Sequence, residues 1–229
     1  MIISFIKKAV CFSGLFCLHS LLAQENLTIY LQPQVALNYK VTASYSHNFS
    51  LIQRSYLFEE QQFRFRARQV DFGHFSDFKI QDNQSFSFGI LYRFRENFET
   101  SKENELRLIQ QYNITFNPRT VRFGHRFRAE QRITPSLTTH RFRYRFAVDF
   151  PLQGEQLDLG EAYLVVSTES LLSIAVNNLP QYDQRFTGEI GWLLAEKTRL
   201  QVGMEYRFED YTHKTENVLF FLTSLVLSL

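Results

Sequence analysis

Beyond residue 23 the 229-residue chain has no cysteine; its two, Cys11 and Cys17, both lie in the opening segment. A mature chain starting at Gln24 would therefore carry no disulfide and no thiol chemistry. Long apolar runs are also missing. No stretch of about 18 apolar residues follows residue 24, which excludes a transmembrane helix. Charge of one sign is not in excess: the formal net charge is +2, so bulk charge points to no nucleic-acid partner. No Cys/His metal cluster, phosphate loop or dinucleotide motif occurs, and no cofactor or metal is expected. Lysine is scarce beside arginine. After the opening segment Lys40, Lys79, Lys102, Lys197 and Lys214 fall at or near presumed turns, loops and strand ends, whereas arginine fills strand interiors.

What is present begins with an export signal. Lys7 and Lys8 form a short basic region, Ala9 to Leu22 is mainly apolar, and Ala23 offers a small residue for cleavage. That order predicts a signal peptide over residues 1–23, followed by one domain over 24–229. Phe16 before Cys17 is too bulky for a lipoprotein cleavage site, so no lipid anchor is expected.

The richest stretch is His140-Arg141-Phe142-Arg143-Tyr144-Arg145-Phe146, which alternates cation and ring with a period of two. A strand with this pattern has one guanidinium face and one aromatic face. A membrane barrel suits both, with rings toward lipid and arginines toward a polar lumen. Aromatic residues make up 16% of the chain, with 24 Phe, and such rings form the outer belt of a barrel. Mean hydropathy is only −0.22, as expected where strands are half polar.

The same alternation recurs. Odd positions from Leu27 to Leu51 are largely apolar, which predicts one long strand irregular near Pro33, although a short loop near Asn38-Lys40 would also keep the parity. Arg64, Arg66 and Arg68 alternate with Phe63, Phe65 and Ala67, and the parity slips near Asp71-Phe72-Gly73, as at a bulge. Arg93 and Arg95 follow on the next strand, then Glu105 and Arg107. Arg122, Arg126, Arg128, Glu130 and Arg132 share a face, as do Arg141, Arg143 and Arg145. The stretch 161–169 has weak parity, and 170–184 reads as a long loop. Arg185 and Glu189, then Glu205 and Arg207, complete the charged set. Leu225, Leu227 and Leu229 alternate to the last residue and resemble the terminal assembly signal of outer-membrane barrels. The fold class is all-β: an antiparallel up-and-down transmembrane barrel of about 10 strands, with 12 as the alternative, an even number being the bacterial rule.

These residues resemble an uncharacterised family of Bacteroidota outer-membrane proteins filed as domain of unknown function 2490. The carrying segments are Asn104 to Leu108, Gly124 to Arg132, His140 to Phe146, Tyr182 to Arg185 and Glu205 to Arg207. The resemblance implies an outer-membrane barrel and supplies no activity or catalytic residue.

Three functions follow as expectations. In the first, inward Arg and Glu knit the lumen into a structural plug. With Phe116 and Val121 flanking a turn, Glu105 would pair with Arg132 and Arg107 with Glu130, and Glu130 would bridge Arg107 to Arg141. Arg128 would then stand beside Arg143 and Arg126 beside Arg145, with Glu189, Glu205 and Glu209 as further partners. In the second, the excess of arginine makes a narrow anion-preferring pore. In the third, Asp71, His74, Ser76 and Asp77, or Asp210 and His213, form a hydrolase site at the rim, although Asp77 would point away from His74 and Ser76 on a regular strand. Expected partners are outer-membrane lipid, the barrel-assembly machinery and small anions. Cations and rings fall on opposite faces, which argues against stacking on nucleic acid.

Overall fold

The computed structural model describes residues 27–229. The expected signal peptide, with Cys11 and Cys17, lies outside the described residues. The rest is all-β. Its strands are β1 (Leu27–Lys40), β2 (Tyr45–Glu59), β3 (Gln62–Gln81), β4 (Gln84–Phe94), β5 (Glu105–Phe116), β6 (Arg122–Ile133), β7 (Thr138–Pro151), β8 (Ala162–Ala175), β9 (Gln181–Ala195), β10 (Thr198–Glu209) and β11 (Glu216–Ser228). Each pairs antiparallel with its sequence neighbours, and the ring closes where β1 meets β11 in parallel.

The strand count is therefore eleven, an odd number between the two even ones expected. The extra strand comes from Leu27–Leu51, which is not continuous. The chain turns at residues 41–44, where Val41 and Thr42 both donate their amides to the Tyr45 carbonyl at 3.0 Å. Residues facing each other across this hairpin, such as Tyr39 and His47, have the same parity, so alternation runs through the turn unbroken. An odd count forces the closing pair to be parallel. Its register runs from Leu27 opposite Asn217 to Asn38 opposite Ser228.

Two other sequence expectations are corrected. The parity slip in β3 falls at Arg68, since Arg54 faces Gln69 while Ser55 faces Ala67. A second irregularity at Leu57 places Tyr56 opposite Arg66 but Phe58 opposite Phe63. The region 170–184 is largely strand: β8 and β9 pair along their length, from Ala162 opposite Trp192 to Ser173 opposite Gln181. Both faces of β8 are apolar around Leu171 and Leu172, which erases the period-two signal there.

Outward positions form an apolar belt. Phe72, Phe88, Ile90, Phe127, Phe142, Phe186 and Met204 are all exposed. The β2–β3 hairpin overhangs, because β3 extends eight residues before its ladder with β4 begins at Val70. Phe63 and Phe65 on that overhang are 84% and 77% exposed. Leu27, Ile29, Phe58 and Leu219 make a small outer cluster beside it.

The interior is polar, with rings at selected points. Tyr30, Tyr56, Val218 and Phe220 pack together inside, near the end of the barrel where β1 and β11 begin; this is called the first end below. Phe75 lies over Gly89 on the neighbouring strand, where any Cβ would collide with its ring.

Candidate functional site

The lumen holds most of the charged residues singled out in the sequence, Arg64, Arg66 and Arg122 excepted. Alternation aims one residue in two inward, and the ring of strands brings those residues face to face. The result is a belt of guanidinium–carboxylate pairs in the half nearer the first end.

Arg93 grips Asp71 with two bonds, Nε to Oδ1 at 2.8 Å and Nη2 to Oδ2 at 2.6 Å. Gln69 donates to the same carboxylate at 3.0 and 3.2 Å. Glu105 is a hub. It accepts from Arg107 Nε at 2.5 Å, from Arg132 at 3.2 and 2.7 Å, and lies 3.8 Å from Arg93. Glu130, only 1% exposed, accepts from Arg143 at 2.7 Å and from Arg128 at 3.4 Å. Arg143 then reaches Glu169 at 3.2 and 2.6 Å, and Arg185 lies 3.5 Å from that carboxylate. Glu205 accepts from Arg207 at 2.5 Å and from Thr187 at 2.9 Å, while Glu209 lies 3.5 Å from Arg207. Arg141 donates to Ser173 at 2.7 Å and lies 3.7 Å from Asp183. Charged forks of this kind are stronger than neutral hydrogen bonds and fix geometry as well as charge.

The detailed pairing differs from the sequence expectation. Arg107 faces Arg132 across β5 and β6, and Ile109 faces Glu130, a shift of two residues. Phe116 pairs with Phe123, so the β5–β6 connection is longer than the assumed turn; Arg119 within it takes a left-handed φ of 63°. A two-residue shift keeps every side chain on its face, so Glu105 still reaches Arg132, diagonally. Glu130 does not bridge Arg107 to Arg141; it joins Arg128 to Arg143. Across β6 and β7, Arg128 stands opposite Arg143, Arg126 opposite Arg145, and Glu130 opposite Arg141. The first like-charge pair is separated by Glu130. Arg128 also donates to Gln111 at 2.9 Å and lies over the Phe75 ring.

The remaining predicted residues lie at the margins. Arg64 and Arg66 sit on the overhang and share Glu59, at 3.8 and 3.5 Å. Arg122 pairs with Asp149 at 2.9 Å at the opposite, second end. Arg126 donates to Asn113 at 3.3 Å. Arg145 and Glu189 line a larger chamber toward the second end, of about 510 Å³. Leu225, Leu227 and Leu229 close the last strand against β10 and β1, Leu225 facing Leu200 and Val35.

Several residues that matter here were not anticipated. Glu99, on the connection between β4 and β5, folds into the first end. It accepts from Tyr56 at 2.6 Å and lies 3.6 Å from both Arg66 and Arg68. Arg54 donates to Gln32 at 3.0 and 2.8 Å and stands over the Phe220 ring at 4.7 Å. The partner of Arg68, which the sequence did point to, was also unforeseen: it donates to the Tyr30 hydroxyl. Glu169 was hidden in the stretch whose parity was weak, and Asp183 in the stretch read as a loop.

The rim residues do not assemble a hydrolase relay. His74 bonds His47 at 2.9 Å, Ser76 bonds Tyr45 at 3.2 Å, and Asp77 points into the lumen, where Ser87 donates to it. Asp210 contacts His213 at 3.0 Å, with Thr212 as that ring's other partner. Among the described residues, no group of three or more His, Cys, Asp or Glu is placed to hold a metal ion.

The fold and its lumen define a closed β-barrel with an internal arginine–carboxylate belt. Within that class, the chain belongs to the family described as protein of unknown function (DUF2490), whose model matches residues 33–218. No curated protein and no solved structure matches it.

Proposed function

We propose that this chain is a bacterial outer-membrane barrel, exported through its signal peptide, whose lumen is held shut by the arginine–carboxylate belt and whose role is structural. The observation that carries the reading is the opposition of two surfaces on the same strands. On β7, Arg141 and Arg143 enter the ion-pair belt while Phe142 and Tyr144 are exposed outside. An apolar belt around a charged interior suits lipid outside and no bulk solvent path inside. The shortest strand, β4, has 11 residues. About 9–11 tilted residues suffice to cross the hydrocarbon core. Among the described residues no helix is long and apolar enough to cross, which does not bear on strands. An odd strand count departs from the even bacterial pattern, but a nineteen-stranded mitochondrial barrel spans a membrane all the same.

The closed reading is favoured over the anion-preferring pore because the belt joins neighbouring strands around the interior. Glu105, Glu130 and Glu169 each bind two or more arginines, and Arg143 links two of them. Breaking such pairs to admit a hydrated ion would cost several kcal/mol per bared charge, roughly 3–5 by analogy with other buried pairs. The test is membrane fractionation followed by planar-bilayer recording of refolded protein. The reading expects outer-membrane co-fractionation, heat-modifiable gel mobility and no steady conductance. Stable anion-selective steps would establish the pore in its place.

A further inference from the structure

Between the belt and the first end lies a small second chamber of about 190 Å³. Ten arginines line it, from Arg54 on β2 round to Arg207 on β10, against two carboxylates, Glu209 and Glu216. Most of the ten are neutralised from behind by the belt. Two are not: among the described residues, Arg54 and Arg95 have no carboxylate within 4.0 Å, Arg54 bonding only the neutral Gln32. Three of the lining arginines, Arg68, Arg95 and Arg185, also have a buried Nε without a hydrogen-bond partner. A buried charged donor left unsatisfied is costlier than a neutral one. Here several such donors converge on one cavity from different strands.

We propose that this chamber binds a small multivalent oxyanion of the phosphate class, held chiefly by Arg54, Arg68 and Arg95. The proposal rests on the closed-lumen reading, since an open channel would flood the chamber and screen its charge. A guanidinium presents a planar fork of N–H donors that suits phosphate oxygens, and forks from several directions match a tetrahedral acceptor better than a spherical halide. The volume is about six times the roughly 30 Å³ of a water molecule in the liquid. That leaves room for orthophosphate or pyrophosphate and none for a nucleotide. The chamber reaches the first end through Thr28, Arg95 and Glu216, which stand at or beside strand ends. Glu99 approaches from the same side. Its carboxylate, 3.6 Å from Arg68, is a built-in competitor for the incoming anion.

The experiment is titration calorimetry of the refolded chain in zwitterionic detergent at low salt, with pyrophosphate as the probe and chloride and acetate as comparisons. Saturable one-to-one binding of pyrophosphate, absent for chloride and acetate, is expected. Arg54→Gln and Arg95→Gln should each weaken it by about tenfold or more, the loss of one charged hydrogen bond being worth at least 1.4 kcal/mol. Glu99→Gln removes the competing charge and should tighten binding. Arg122→Gln, at the opposite mouth, should leave it unchanged. Heat-modifiable mobility certifies that each variant is folded; should either arginine variant fail to fold, Glu99→Gln decides alone. No pyrophosphate binding, or binding indifferent to Arg54, Arg95 and Glu99, overturns the proposal. Displacement of pyrophosphate by phosphatidic acid in mixed micelles overturns the assignment to a free anion in favour of a lipid phosphate. Bilayer recording is scored separately: conductance would defeat the closed lumen, whereas silence with no calorimetric signal would defeat this site alone.

Discussion

The Arg207 guanidinium lies 3.7 Å from the centre of the Phe220 ring, inside a lumen otherwise made mostly of charge. Arg54 stands over the same ring at 4.7 Å, and the ring is fully buried. A desolvated cation above an aromatic face gains about 2 kcal/mol or more. Phe220 therefore supports Arg54, which has no carboxylate partner, and Arg207, which the belt pairs with Glu205 and Glu209. Phe220→Ala should destabilise the barrel by about 3–5 kcal/mol, as for other buried Phe truncations. Urea unfolding in detergent, followed through the fluorescence of Trp192, the one tryptophan, measures this. A loss below about 1 kcal/mol would show that the ring is only filler.

Glu130 ties two strands together from a fully buried position. Glu130→Gln should destabilise the fold by about 3–5 kcal/mol, because Arg128 and Arg143 would face each other with no charge between them. Adding Arg128→Gln should recover part of that loss, giving a coupling energy of about 0.5–3 kcal/mol in a double-mutant cycle. Strict additivity would mean that Glu130 does not separate the two arginines.

On the outer face, Phe88 and Phe142 are each about half exposed. If lipid covers them, Phe142→Arg in refolded vesicles should cost roughly 2–4 kcal/mol, the range for Arg on the lipid face at mid-depth. The same substitution in a soluble barrel would be nearly neutral, so unchanged vesicle stability would remove the membrane assignment.

The parallel closure can be tested covalently. Gln34 and Ser224 face each other across β1 and β11. Neighbouring strands lie about 4.7–4.9 Å apart, within the span that a disulfide bridges. The double variant Gln34→Cys/Ser224→Cys, made in a chain begun at Gln24 so that Cys11 and Cys17 are absent, should oxidise readily to one circularised species of altered gel mobility. Failure to cross-link in folded protein would place the seam elsewhere.

Inside the barrel, Phe75 occupies the space above Gly89. Gly89→Val should push that ring out of place and with it the support it gives Arg128, destabilising the fold by about 1–3 kcal/mol, the usual cost of overpacking. Gly124, which has open space around its Cβ direction, should accept Ala with little change.

Alternation made the faces of β6 and β7 legible, since those strands put charge on one face and rings on the other, whereas β8 hid its own. Turns were harder where their chemistry was unmarked. Val41-Thr42-Ala43-Ser44 contains neither Gly nor Pro, and Glu60 and Gln61 both take left-handed φ, 51° and 60°, where Asn-Gly would be the usual signal. Register was harder still, because a two-residue slip between β5 and β6 leaves every face unchanged and only re-pairs the charges. Four acids of the belt were missed as partners: Asp71 beyond the slip in β3, Glu99 on a connection, Glu169 where parity is weak and Asp183 in a stretch read as loop. Their role depends on the register between strands and on the path of a loop, which local periodicity does not encode.

An odd ring has no common doorstep. In an even barrel the chain returns to the side it left; here β1 and β11 start together, so Leu27 and Leu229 lie at opposite mouths. Set in a bilayer, the wall would divide them between two compartments. The arginine chamber shares the Leu27 mouth, and the belt stands between it and the Leu229 mouth. An anion held there would exchange with the solution at the Leu27 mouth and not with that at the Leu229 mouth.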